Sequence, residues 1–450
     1  MDDAQRVLCD RMCEWNVSSV AHRLAPELLA ICIQVLPLCD RIRASHVSRH
    51  WRTVALAFPS IWRDIELGTA HKHALALFRL VLPRSGVAPV DFRYSGSQQA
   101  MPRGTLKQLD HLLCDHIHHI RTIEWPGSIT STWFSRPAPL LEAITCDSPD
   151  LAQVPEDFLG GVVGRLRSLN LYYLNLPSEI CPALTTATHV ECGLPWSFRT
   201  KNDSDAGHAH LFDQFPKVEV LALRNLRWAH TLPAGPAPSS LRSVSIDANE
   251  HSFDFSSVLH GWDLHRVRDV KLRTSDAYAE HFAFIFSDVV ALEIYRMRCM
   301  LVYRGQTDNG FIRTIVSALA PLPPSDYGPL IAEHAGNTVQ IVSGSLQSLT
   351  ISRVVWSELV ALPITLPLLA EVTICVAVYE DYSAPDISEL RMQLQTPMLQ
   401  SIVINAPLGP QDSTTLPSPS RVLGPELPSG SECVEVTAHF GSMVDPETYL

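Results

Sequence analysis

Leu166-Arg-Ser-Leu169-Asn-Leu171 sets the pattern of this chain. Apolar residues hold its first, fourth and sixth places. In a strand the fourth and sixth side chains point to one side and the fifth to the other. The same hexamer stands at Val87-Ala-Pro-Val90-Asp-Phe92, Ile120-Arg-Thr-Ile123-Glu-Trp125, Leu141-Glu-Ala-Ile144-Thr-Cys146 and Val218-Glu-Val-Leu221-Ala-Leu223. It continues at Leu241-Arg-Ser-Val244-Ser-Ile246, Val267-Arg-Asp-Val270-Lys-Leu272 and Val289-Val-Ala-Leu292-Glu-Ile294. The last clear copies are Leu346-Gln-Ser-Leu349-Thr-Ile351, Leu369-Ala-Glu-Val372-Thr-Ile374 and Leu399-Gln-Ser-Ile402-Val-Ile404, and weaker ones centre on Val190, Ile315 and Val436.

Counted between central apolar residues, the steps run from 21 to 34 residues. Such a period marks stacked supersecondary units, each burying one apolar face on its neighbours. The pattern resembles divergent leucine-rich repeats. That resemblance implies a solenoid with a curved parallel sheet and a return path on the convex side. The asparagine that usually follows the strand core is mostly missing, with Asn175 and Asn225 the nearest substitutes, and inserts occupy 195–212 and 320–337. The competing expectation is an ordinary α/β domain whose strands begin Leu-x-x-Leu.

The texture differs before residue 68. Residues 24–67 read LAPELLAICIQVLPLCDRIRASHVSRHWRTVALAFPSIWRDIEL. Pro26 suits the first turn of a helix, and Leu28, Leu29, Cys32 and Leu36 share a face, with Ile31 and Val35 close beside it. Pro37 stops that helix. Asp40 is expected to cap a second helix and Ser48 a third. Trp51 and Trp62 are read as internal, and Ile65 and Leu67 as a first strand. Three helices in so few residues are marginal alone and gain stability from a neighbour. Leucine and isoleucine on more than one face imply an internal and an external partner.

In order, Leu24-x-Pro26-Glu27-Leu28-Leu29, Leu36-Pro37-Leu38-x-Asp40-Arg41-Ile42, Val47-Ser48-Arg49-x-Trp51-Arg52 and Pro59-x-Ile61-Trp62 resemble an F-box, especially the F-box-like proteins of mushroom-forming fungi. The resemblance implies docking on the Skp adaptor of a cullin-type ubiquitin ligase. By matching positions, the docking residues would be Leu24, Pro26, Leu28, Leu29, Ile33, Leu36, Leu38, Ile42 and Val47. The module also reads as an end cap for the array, and one face can cap while another docks.

The expected fold class is therefore α+β: a helix over 1–23, a three-helix F-box over 24–67, an irregular repeat array over 68–406, a Pro/Ser/Gly-rich linker over 407–430, and a last strand with a tail over 431–450. Polar fifth-place residues, Asn170, Ala222, Ser245, Lys271, Glu293 and Thr350, are the expected target-binding positions. The expected function is target recognition for a ubiquitin ligase without chemistry of its own, the target's lysine being held near a ubiquitin carrier. A non-ligase repeat scaffold is the alternative, and an enzyme with its site in the inserts a third.

Bulk properties narrow the classes. With 46% hydrophobic and 18% charged residues the chain is a folding one. A net charge of −12 without a basic stripe argues against nucleic acid. Eleven cysteines without a CxxC pair, and an N-terminus lacking a secretory pattern, point to the cytoplasm or nucleus. No apolar run has the length to span a membrane. His111, Cys114, His116, His118 and His119 are the sharpest ligand cluster, but the leucine-rich flanks read as the helical half of a repeat, so neither metal nor cofactor is expected. Paired carboxylates such as Asp64 with Glu66, or Glu380 with Asp381, read as solvated faces rather than acid–base pairs.

Overall fold

The computed structural model describes residues 3–18, 23–68, 74–94, 103–125, 132–146, 154–171, 176–177, 179–193, 210–226, 232–248, 255–274, 279–297, 300–319, 327–375, 394–406 and 435–440. The linker at 407–430, Asn175, and the Glu380–Asp381 pair lie outside them. The fold is mixed α/β, with mostly parallel strands joined by helices and turns. Two compact units divide the chain, Met1–Val218 and Glu219–Leu450.

The first unit opens with α1 (Asp3–Ser18) and three short helices, α2 (Pro26–Gln34), α3 (Leu38–Ala44) and α4 (Arg49–Ala57). Pro26 occupies the first turn of α2, where a missing N–H leaves no bond unmade. Ser48 accepts from Trp51 N at 3.2 Å and caps α4. The expectation for Asp40 is corrected. Pro37, in extended conformation, precedes α3, and Asp40 lies inside its first turn, paired with Arg43 at 2.7 Å. Leu29, Ala30, Ile33, Val54, Ala55, Ile61 and Trp62 form the buried side of the three helices. Trp62 donates through Nε1 to Ala55 O at 2.7 Å, which satisfies its one polar atom. Trp51 is only half-buried.

A 3₁₀ turn at Pro59–Trp62 leads into β1 (Asp64–Leu67). Next come α5 (Ala74–Val81), β2 (Val90–Tyr94), α6 (Arg103–His116), β3 (Ile120–Trp125), β4 (Ala143–Cys146), β5 (Ser168–Leu171) and β6 (His189–Gly193), and α7 (Leu211–Gln214) follows. Strands β1 to β6 pair in chain order, all parallel. One buried apolar row runs in register through Ile65, Phe92, Ile123, Ile144, Leu169 and Val190. The hexamer's central residue thus marks the core of β3, β4, β5 and β6. The first copy differs. Its first residue, Val87, is 87% exposed, while Val90 and Phe92 are both buried. Val90 pairs with Ile120 and Asp91 with Thr122, a register shift that leaves Arg121 as an extra residue on β3 and sets Phe92 opposite Ile123.

The second unit holds β7 (Val220–Leu226), β8 (Ser243–Ala248), β9 (Asp269–Thr274), β10 (Val289–Met297), β11 (Met300–Thr307), β12 (Ile312–Ala318), β13 (Ser348–Ser352), β14 (Glu371–Cys375), β15 (Ser401–Ala406) and β16 (Glu435–Phe440). Helices α8 (Ser256–Gly261), α9 (Ala279–Ile285), α10 (Tyr327–Val342) and α11 (Arg353–Leu359) lie between them. The strand order is β7-β8-β9-β12-β11-β10-β13-β14-β15-β16. The expectation of a wholly parallel sheet is corrected here, because β11 runs antiparallel to both β10 and β12. Asp308-Asn309-Gly310 closes the β11–β12 hairpin, with Gly310 at φ 76° and its N–H donating to Thr307 O at 2.9 Å. A turn needing positive φ selects glycine. The hairpin brings β12 beside β9, and β10 then resumes the parallel series through β13. Asn225 takes φ 59° within β7, at a register shift between Leu223 and Leu226. The segment after the linker returns to the sheet, β16 pairing parallel with β15.

Candidate functional site: an exposed apolar helical face and two polar strand rows

Helix α2 shows apolar side chains on both of its sides. Leu29 and Ile33 are 0% exposed, whereas Leu28 is 53%, Ile31 58% and Val35 78% exposed. These last three are spaced i, i+3 and i+7, which places them along one stripe. Val47, in the turn before α4, adds 59% exposure. Pro26 is exposed, and Leu24, Leu36 and Ile42 are half-buried. Scattered exposed leucines need no explanation, but four large apolar side chains in one small module do.

The nine expected docking positions therefore fall into two groups. Leu24, Pro26, Leu28, Leu36, Ile42 and Val47 keep accessible surface. Leu29, Ile33 and Leu38 are buried within the chain and support the face from beneath. Ile31 and Val35, expected close beside the apolar face but not among the docking positions, belong to the exposed stripe. Their spacing from Leu28 is the signal that finds them.

The strand residues fall into two rows, one in each unit. In the first unit Asn170 belongs to a register row of Glu66, Arg93, Glu124, Thr145, Asn170 and Glu191. Asn170 Nδ2 donates to Glu191 Oε2 at 2.8 Å. In the second unit Ala222, Ser245 and Lys271 stand in one row with Thr314 and Arg304, then Glu293 and Thr350. Arg304 Nη1 lies 3.4 Å from Glu293 Oε2. All six expected residues are half-buried, between neighbours along the strand that are buried. Arg304 was missed because it lies on the unforeseen β11, and Thr314 because it precedes the central Ile315 of its weak copy instead of following it.

Charges beside the second row are perturbed. Burial and then the Arg273 charge lower the Lys271 pKa, while Asp247 opposes them. Burial raises the Asp247 carboxyl, against the pull of Arg273, Arg224 and Lys271. Arg273 Nη1 lies 3.7 Å from Asp247 Oδ2.

The histidine cluster is drawn together without forming a ligand set. His116, His118 and His119 have ring centroids 4.7 to 6.5 Å apart. His111 and His118 are exposed, and Cys114 and His119 are buried. Among the described residues no group of three or more His, Cys, Asp or Glu residues is arranged to hold a metal ion. Among the same residues no helix is long and apolar enough to cross a membrane.

No protein-family model matches the chain, and no curated protein matches it as a relative. The geometry therefore stands without a family to carry it. It offers an exposed apolar helical face and half-buried polar strand rows.

Proposed function

We propose that the chain is the substrate-recognition subunit of a Skp–cullin–F-box type ubiquitin ligase. Helices α2 to α4 serve as the F-box and dock on the Skp adaptor. The strands that follow form a divergent leucine-rich-repeat array and bind a protein target through their polar rows. The observation that carries this reading is the stripe of Leu28, Ile31 and Val35, exposed on a module whose other side is already core. Burial of each such side chain contributes up to about 1.5–3 kcal/mol, so the stripe supplies part of what must offset an association cost of roughly 4–15 kcal/mol.

Three local features support the docking reading. Pro26 starts α2, Ser48 caps α4, and Trp62 closes the buried side. Supporting the repeat reading, the hexamers recur as strands with their central residues buried. The chain then acts by holding a target near the ubiquitin carrier, and the rate gain is one of proximity.

Co-purification of the full chain with a Skp adaptor tests this. The wild type should retain the adaptor, and a Leu28→Asp plus Val35→Asp chain should release it with its fold unchanged. Adaptor retained by that double variant, or never captured by the wild type, leaves the scaffold reading instead.

A further inference from the structure

An open cleft of about 660 Å³ lies where α3 meets the polar side of β1, β2 and β3. Four carboxylates and three guanidinium groups line it. Most of these charges satisfy one another. Arg121 grips Asp91 through Nε to Oδ1 at 2.8 Å and through Nη2 to Oδ2. Thr122 Oγ1 donates to Asp91 Oδ1 at 3.0 Å, and Arg63 Nη2 to Oδ2 at 3.4 Å. Burial pushes the Asp91 carboxyl up, but the hydrogen bonds of Arg121 and Thr122 outweigh it and hold it below the usual carboxylate range. Arg93 meets Glu124 at 2.8 Å.

Two groups are left over. Glu66 is exposed on β1 and forms no ion pair with any described residue. Arg41 is only 8% exposed, a burial that guanidinium groups rarely reach without a full set of acceptors. Its Nε donates to Leu36 O at 2.6 Å, and its Nη1 to Ile61 O and Asp64 O, both at 2.9 Å. Nη2 makes no hydrogen bond with a described residue and is left for the cleft that Arg41 lines.

The backbone adds a third observation. β1 ends the strand order and pairs with β2 alone. Asp91 N donates to Arg63 O at 2.8 Å, so Arg63, Ile65 and Leu67 turn their peptide groups toward β2. By alternation, Asp64 and Glu66 turn theirs to the outer edge. Arg41 already takes Asp64 O, in the place where a neighbouring strand would. Among the described residues the peptide groups of Glu66 have no hydrogen-bond partner, and an unpaired edge is a template for an added strand.

We propose that this cleft receives an extended basic segment of the target protein, laid along the outer edge of β1. A carbonyl of that segment accepts from Arg41 Nη2, its backbone pairs with Glu66, and a lysine or arginine side chain meets the Glu66 carboxylate. This rests on the target-recognition reading above and names the chemistry of the target. The exposed stripe of Leu28, Ile31 and Val35 does not line the cleft; of the nine expected docking positions only Leu38, buried beneath that face, does.

The test uses the full chain and a fluorescein-labelled octapeptide of alternating lysine and serine, followed by anisotropy at physiological salt. A glutamate–serine octapeptide is the comparison probe. The lysine peptide should bind and the glutamate peptide should not. Glu66→Lys should weaken binding about tenfold, since it turns an attraction into a repulsion. Glu179→Lys carries the same charge change at an exposed site outside the cleft and should weaken it by less than about twofold. Glu66→Gln gives an intermediate loss and serves if the lysine variant folds poorly. Equal losses in the Glu66→Lys and Glu179→Lys chains, or equal binding of the two peptides, would overturn the proposal. The Leu28→Asp plus Val35→Asp chain should bind the lysine peptide as the wild type does, so a failure of adaptor docking leaves this result standing.

Discussion

Leu28 and Leu29 are consecutive residues of α2 with opposite surroundings: Leu28 keeps 53% of its surface and Leu29 keeps none. Adjacent helix positions are about a hundred degrees apart, so one looks to the core and the other away from it. Their variants should separate stability from docking. Leu29→Ala removes buried methyl groups and should cost about 2–5 kcal/mol of stability. Leu28→Asp should leave the thermal midpoint within about 1–2 °C of wild type and abolish adaptor capture. Melting curves and pull-down on the same samples check both. A Leu28→Asp chain that melts early would mean that this side chain is core.

Arg313 should prove a structural cation. It sits on β12, 2% exposed, with Nη1 donating to Val267 O, Arg268 O and Ile312 O at 2.9 to 3.1 Å and Nη2 to His265 O at 3.3 Å. Burial lowers its pKa, and Asp288 and Asp269 pull the other way. Arg313→Ala strands buried carbonyls and should cost about 3–5 kcal/mol. Arg313→Lys should recover little, because one ammonium cannot span the fork of acceptors. Urea denaturation of the two variants gives the comparison, and a lysine variant as stable as wild type would refute the fork.

Gly305 holds β11 against its neighbours. A Cβ there would lie 2.6 Å from Val289 Cγ2 and 2.8 Å from the Phe286 ring. Gly305→Ala should therefore destabilise by about 1–3 kcal/mol through overpacking. Gly235→Ala, where nothing stands within 4 Å, should be near neutral. Differential scanning calorimetry of both reads the contrast. Equal midpoints would show that the Phe286 ring gives way freely.

The hexamer made most strands legible because a buried parallel strand needs apolar residues on its inward positions, and a period-two rule leaves little choice there. Ile123, Ile144, Leu169, Leu221 and Val244 are each buried strand residues for that reason. β11 escaped because its residues MLVYRGQT, over 300–307, carry no hexamer, although Asp308-Asn309-Gly310 is a hairpin signal. The Val87 copy was only partly right: Val90 and Phe92 are buried, but Val87 lies ahead of β2 and is exposed. The helical face was half legible. Spacing finds a stripe, but which stripe is core depends on where α4 and Trp62 pack, and that is a tertiary fact. The cleft was illegible, since Arg41 and Glu66 come together through the packing of α3 on an edge strand.

Acid should loosen the first unit through His119. Its ring is 3% exposed, neither nitrogen has a hydrogen-bond partner among the described residues, and His116 and His118 lie with ring centroids 5.1 and 4.7 Å away. Burial, then the charges of His118 and His116, push it down to about 4. Burial likewise lowers His116, helped by His118 and opposed by Asp115. The unfolded ring titrates near its ordinary 6.5, so between those two values the unfolded chain binds the extra proton and stability rises with pH. The stability is fully present above about 6.5 and is lost as pH falls toward 4. Melting at pH 7.5 and again at pH 5.0 should show a drop of roughly 3–6 °C for the wild type. His119→Leu fills similar space without a titrating group and should reduce that drop while leaving the pH 7.5 midpoint equal or higher. A variant that loses as many degrees as the wild type would assign the acid sensitivity to other groups.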